Sequence, residues 1–189
     1  MMRVFIAIDI GEEIRSALGR LQEQLQKKAN AKKSDVKWVR PERMHLTLKF
    51  LGEVEDANII SVCDAVKDVA SRHKSFDLDI ESVGYFGGRS ARVLWVGTGE
   101  GSDKLQRLQK DLEERLALAG WPEEVREFAG HLTLCRIRST KAGYELVGLS
   151  EDYKDFRAGV VLADSVSVYQ SRLKPAGPEY TVLGNYKLQ

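Results

Sequence analysis

ERMHLTLKFLGE (residues 42–53) and FAGHLTLCRIRS (residues 128–139) carry the same four-letter word. His-Leu-Thr-Leu stands at 45–48 and again at 131–134, and it takes two of the chain's 3 histidines. On a β-strand side chains alternate between faces, so each copy turns a histidine and a threonine one way and two leucines the other. Alternation through the first stretch predicts Met44, Leu46, Leu48 and Phe50 in a core, with His45, Thr47, Lys49 and Leu51 opposite.

The surroundings of the two words match as well. RVFIAI (3–8), inside a strand predicted over 2–9, precedes a helical pattern over 11–29. That pattern spaces Ile14, Leu18, Leu21 and Leu25 along one side, with acids first and lysines last, as the helix dipole favours. RVLWVG (92–97) precedes SDKLQRLQKDLEERLALAG (102–120), a helix opened by a Ser/Asp cap and stopped at Gly120. Arg3 to His45 and Arg92 to His131 are nearly equal runs of strand, helix and strand. This predicts an internal duplication, with approximate repeats over 3–52 and 92–138. The expected fold class is α+β: one bilobal domain over 1–189, its halves related by a pseudo-twofold axis, with two antiparallel sheets facing a central cleft and helices outside. A further helix is predicted near 56–73 and a strand over 76–86. The tail reads as two strands, 161–173 and 178–188, around the turn Lys174-Pro175-Ala176-Gly177-Pro178.

Bulk properties narrow the class. The chain has 189 residues, 43% of them hydrophobic, enough for one domain or two small lobes sharing a core. A net charge of +1 argues against a protein wrapped in nucleic acid and leaves room for a local basic patch. The apolar opening VFIAI is closed by Asp9 and is too short for a signal or membrane segment, so a soluble, cytoplasmic monomer is expected. Its 2 cysteines, Cys63 and Cys135, form neither zinc-type spacing nor a disulfide framework.

One imidazole and one hydroxyl from each half suit a phosphodiester. Two histidines across a cleft divide the work of general base and general acid, and threonine hydroxyls hold phosphoryl oxygens. By strand phase Lys49 adds positive charge beside His45. The alternative is a zinc site of His45 and His131, joined by Cys135, which alternation places in phase with His131. No carboxylate accompanies either motif, and His73 and Cys63 lie on a helix elsewhere, so no metal and no cofactor are expected.

Paired His-x-Thr motifs in a duplicated chain of this length resemble the two-histidine phosphoesterase superfamily. Within it, WVRPERMHLTLKFLGEV and HLTLCRIR are similar to the RNA 2′,3′-cyclic phosphodiesterases of bacteria and archaea, also called 2′-5′ RNA ligases. RVFIAIDIGEEIR, RVLWVG and SRLKPAGPEY extend the likeness over nearly the whole chain. The resemblance implies hydrolysis of an RNA 2′,3′-cyclic phosphate end to a 2′-phosphate. His131 would activate water and His45 would protonate the departing 3′ oxygen, with Thr47 and Thr133 on phosphate oxygens. It also implies Arg136 as a phosphate contact, although a regular strand would turn Arg136 to the side of Leu132 and Leu134; a bulge or strand end is needed there. Where many relatives have proline before the second histidine this chain has Gly130, which is expected to loosen the approach to the strand.

Other readings stay open at this stage. The same site run in reverse would join a cyclic phosphate end to a 5′-hydroxyl, and a binding module without turnover is a third possibility. The run 27–43, with Lys27, Lys28, Lys32, Lys33, Lys37, Arg40 and Arg43 around Trp38, serves either as a track for RNA or as a solvated helix end and loop. Phe50 is assigned to the core, and Tyr85 and Phe86 to a cleft rim beside the Gly87-Gly88 turn.

Overall fold

The computed structural model describes residues 1–175 and 177–189; Ala176 of the expected tail turn lies outside the described residues. Among the described residues nine strands and four α-helices follow in chain order: β1 (Met2–Ile8), α1 (Gly11–Lys28), β2 (Val36–Trp38), β3 (Leu46–Val54), α2 (Ile59–Ala70), β4 (Phe76–Phe86), β5 (Val93–Thr98), α3 (Ser102–Leu118), β6 (His131–Ile137), α4 (Thr140–Glu151), β7 (Arg157–Ala163), β8 (Ser165–Lys174) and β9 (Gly177–Lys187). Two antiparallel sheets form, in the orders β3-β1-β8-β9 and β2-β6-β5-β4-β7.

The sheets share a plan. In each, the strand bearing the repeated word pairs antiparallel with the strand that precedes the intervening helix: β3 with β1, and β6 with β5. The register corrects one detail of the sequence reading. Phe50 pairs with Phe5 and Arg136 with Val93, so Phe5 corresponds to Val93, and the words RVFIAI and RVLWVG are offset by one residue.

The tail also differs from expectation. The run 161–173 is two strands, divided at Asp164: β7 closes the second sheet while β8 returns to the first. Helix α4 is an element the sequence reading did not contain; Ser139 caps it, its Oγ accepting from the Ala142 N–H at 3.2 Å.

Val4, Ile6, Ile8, Leu46 and Leu48 of the first sheet and Leu94, Val96, Leu132 and Leu134 of the second join Leu18, Leu21, Leu25, Leu105, Leu108 and Leu112 of the helices in one core. Two buried glutamines stitch the halves together crosswise. Gln22 of α1 donates to the Leu134 carbonyl at 2.8 Å and the Val39 carbonyl at 2.7 Å. Gln109 of α3 donates to the Leu48 carbonyl at 3.5 Å and to Glu113 at 2.9 Å. Each helix thus reaches the motif strand of the other sheet. The two glutamines sit in the same short word, Arg20-Leu21-Gln22 and Arg107-Leu108-Gln109.

Candidate active site

Both motif strands break step at the same letter. In β3, Thr47 pairs with Ala7 and Lys49 with Ile6, leaving Leu48 without a partner. In β6, Thr133 pairs with Trp95 and Cys135 with Leu94, leaving Leu134 without one. These are β-bulges, and an extra residue inverts the alternation beyond it. The carbonyls of the extra leucines are those that Gln22 and Gln109 satisfy.

The inversion decides which side chains face the cleft. Thr47 and Thr133 remain on the face of their histidines, partly exposed. Arg136 turns outward onto the face of Thr133 and is exposed, so the bulge supplies what the resemblance required. The same step turns Cys135 into the core, where burial pushes its thiol up to about 12; it does not join His131. His73, the third histidine, pairs with Asp111 at 2.7 Å on the helical side.

Lys49 is corrected for the same reason. It lies buried beneath the first sheet in an ion pair with Glu113 of α3 and donates to the Pro122 carbonyl at 2.9 Å. Glu113 also accepts from Gln109 and from the Glu124 N–H, so each partner of the pair has a further hydrogen bond. It is an anchor between the halves, not a charge in the cleft. Phe50, expected in the core, is instead 60% exposed on the side of Phe5, its ring centre 5.9 Å away.

His45 sits among aromatics. Phe5 stacks on it at 4.6 Å, Tyr180 of β9 meets it edge-on at 5.1 Å, and Tyr169 of β8 lies beyond at 6.1 Å. Burial pulls the imidazole down to about 4, a hydrogen bond with the Arg43 backbone opposes the shift, the charge of Arg15 adds to it, and that of Asp9 opposes it. His131 has Phe86 edge-on at 5.0 Å and Trp95 at 6.2 Å. The indole of Trp95 lies over Gly84 and Gly97; a Cβ on Gly84 would come 2.2 Å from its Cη2. His131 Nδ1 bonds the Ala129 carbonyl at 2.7 Å. At Gly130 a Cβ would press to 2.6 Å from the buried Leu105, so the packing there leaves no room for a side chain.

Tyr180 lies within electrostatic reach of both sheets. Burial raises its hydroxyl, and the charges of Arg43, of Arg136 from the opposite sheet, and of Arg3 oppose that rise. Arg3, Phe5, Tyr169, Tyr180 and Trp95 were not singled out in the sequence. For the first two the signal was present: Arg3, Phe5 and Ala7 alternate with the core residues Val4, Ile6 and Ile8.

A pair of imidazoles, each held by a backbone partner two residues earlier and each with a threonine beside it, has the side chains that acid–base chemistry on a phosphoryl group requires. Sequence comparison agrees. The chain belongs to the LigT like phosphoesterase family, whose profile matches residues 8–95 and again 96–180. It is 36% identical to an RNA 2′,3′-cyclic phosphodiesterase of Thermotoga maritima, covering 96% of this chain and 93% of that protein. It is 32% identical to one of Methanothermobacter thermautotrophicus, with 99% of both chains covered. The fold matches E. coli LigT crystallised with 3′-AMP at a TM-score of 0.80 and 24% identity, over 100% of this chain and 98% of that one. Among the described residues no helix is long and apolar enough to cross a membrane.

Proposed function

We propose that this protein is a metal-independent enzyme that hydrolyses the 2′,3′-cyclic phosphate at the end of an RNA strand to a 2′-phosphomonoester, acting as a cytoplasmic monomer. The observation that carries the reading is the coincidence of the two bulges with the two motifs, which sets a histidine, a threonine and, in the second sheet, an arginine on one face.

In-line displacement needs the attacking water and the departing oxygen on opposite sides of phosphorus. His131 takes the water's proton, because its Nδ1–H is committed to the Ala129 carbonyl and Nε2 is left as the acceptor. His45 gives a proton to O3′ as the P–O3′ bond breaks. Burial makes protonated His45 a strong acid, and the anionic phosphate supplies the charge that stabilises it. Thr47, Thr133 and Arg136 donate to the equatorial oxygens, where charge gathers in the transition state.

The test is incubation of an RNA bearing a 2′,3′-cyclic phosphate with the protein in EDTA, followed by identification of the product ends. A 2′-phosphate, resistant to a 3′-specific phosphatase, is expected. A uniform 3′-phosphate would exchange the positions of O2′ and O3′, and activity lost in EDTA and restored by zinc would replace acid–base catalysis with metal chemistry.

A further inference from the structure

The role given to His45 fixes where the rest of the substrate lies. If His45 stands at O3′ and His131 at the water, the ribose is on the His45 side of phosphorus, and the strand leading to it must leave over the first sheet.

That sheet presents three successive rows to the cleft. The first runs Thr47–Ala7–Ser167 and carries the threonine assigned above to the reacting phosphate. The second runs Phe50–Phe5–Tyr169: Phe5 is buried as a floor, Phe50 is exposed, and Tyr169 stacks on Phe5 at 5.1 Å. By backbone pairing the third runs Arg3–Ser171–Tyr180; the Tyr180 ring leans back over Phe5 and His45, both at 5.1 Å, which leaves Arg3 as the outward side chain of that row. From Ala7 to Arg3 is about 13 Å along the strand. An anion-binding row, an aromatic row and a cationic row follow in the order of phosphate, nucleoside and phosphate.

The third row is reinforced. Arg43 and Tyr180 line one cavity of about 260 Å³, with Glu42, Lys174 and Glu179. The guanidinium of Arg43 lies against Gly177, so closely that a Cβ there would come 2.0 Å from Nη1. Glu179 is already bound by Lys174 at 2.6 Å, and Glu53 stands opposite Arg3 in the register as the competing carboxylate. Arg3 and Arg172 line the adjoining hollow of about 470 Å³.

We propose that Arg3, at the outer end of β1, and Arg43, beside Tyr180, form a subsite for the phosphodiester on the 5′ side of the terminal nucleotide. The preferred substrate is then an oligonucleotide end rather than a free cyclic mononucleotide. The inference rests on the reading of the site given above. The aromatic row accepts any base by stacking, and the arginines bind the strand by charge-assisted hydrogen bonds, so length rather than sequence is what this surface selects.

The experiment compares a 2′,3′-cyclic mononucleotide with a dinucleotide of the same terminal base ending in a 2′,3′-cyclic phosphate. The wild-type protein should show a kcat/KM about tenfold or more higher on the dinucleotide. Arg3→Gln should lower the dinucleotide value toward the mononucleotide value, lower the mononucleotide value several-fold less, and weaken the salt dependence of kcat/KM on the dinucleotide. Arg3→Lys should retain part of the preference. Equal wild-type rates on the two substrates, or an equal loss on both in Arg3→Gln, would overturn the subsite while leaving the phosphodiesterase reading in place. Hydrolysis of neither substrate would remove that reading and the subsite with it.

Discussion

His131 gives its Nδ1 proton to the carbonyl of Ala129, two residues back along the chain, at 2.7 Å. A carbonyl only accepts, so the neutral ring carries its proton on Nδ1 and leaves Nε2 bare. The base is thereby set before substrate arrives. Nitrogen-15 spectra of the neutral ring should show Nδ1 protonated, and the opposite tautomer would remove His131 from that role. His131→Ala should lose at least ~10²–10⁴-fold in kcat with the fold retained, the usual scale of general base catalysis.

His45 carries a pH signature. An ordinary imidazole titrates near ~6.5, whereas burial holds His45 at about 4. Between these values the unfolded chain takes up the proton and the folded one does not. Stability is therefore full above the ordinary value and is lost as the pH falls toward about 4. Because kcat/KM reports the free enzyme, its acid limb should lie below the ordinary histidine range, as a macroscopic value of two coupled imidazoles. Inorganic phosphate should move the His45 resonance upward in an NMR titration. A resonance that ignores phosphate would mean that the anion does not bind beside it.

Lys49 and Glu113 give a prediction of the opposite kind. Both are buried, and each is the other's charge partner. Lys49→Met leaves Glu113 charged and uncompensated, which costs about 3–5 kcal/mol. Denaturant melts should show that loss while the kcat of the folded protein stays at the wild-type value. Glu113→Gln added to Lys49→Met should recover part of the stability. A large fall in kcat with little loss of stability would return Lys49 to the cleft.

The duplicated plan was legible because the strand–helix–strand words repeat, and period-2 alternation placed His45, Thr47, His131 and Thr133 correctly. Alternation failed past the second leucine of each motif, for a reason that no run of residue types announces. A bulge is set by partners far away in the chain, here the glutamine of a helix 112 positions distant in one case. One cause accounts for Lys49, Cys135 and Phe50 being assigned to the wrong face and for Arg136 arriving on the right one. The split at Asp164 escaped notice similarly: β7 and β8 are continuous in β-forming residues, and only pairing with β4 and with β1 tells them apart.

Gln22 offers the sharpest test of the bulge itself. Its buried amide donates to the carbonyls of Leu134 and Val39, which fixes the step in β6 and the neighbouring end of β2. Gln22→Leu fills the same space but takes its donor from the Val39 carbonyl, at a cost of about 1–3 kcal/mol for an unsatisfied group, and leaves the Leu134 carbonyl only the Val39 N–H at 2.9 Å. If the bulge relaxes, Arg136 swings from the cleft face, so catalysis should fall along with stability. Arg136→Ala should cost activity but not stability, since its side chain is exposed. The two losses should then be less than additive in the double mutant, because Gln22 acts on catalysis through Arg136. Gln109→Leu is the control in the other sheet: its bond to Leu48 is the longer, at 3.5 Å, and the bulge it supports presents Phe50 instead of an arginine. It should lose stability with a smaller effect on the rate. Strictly additive losses for Gln22 and Arg136 would mean that the glutamine holds the core without governing the arginine.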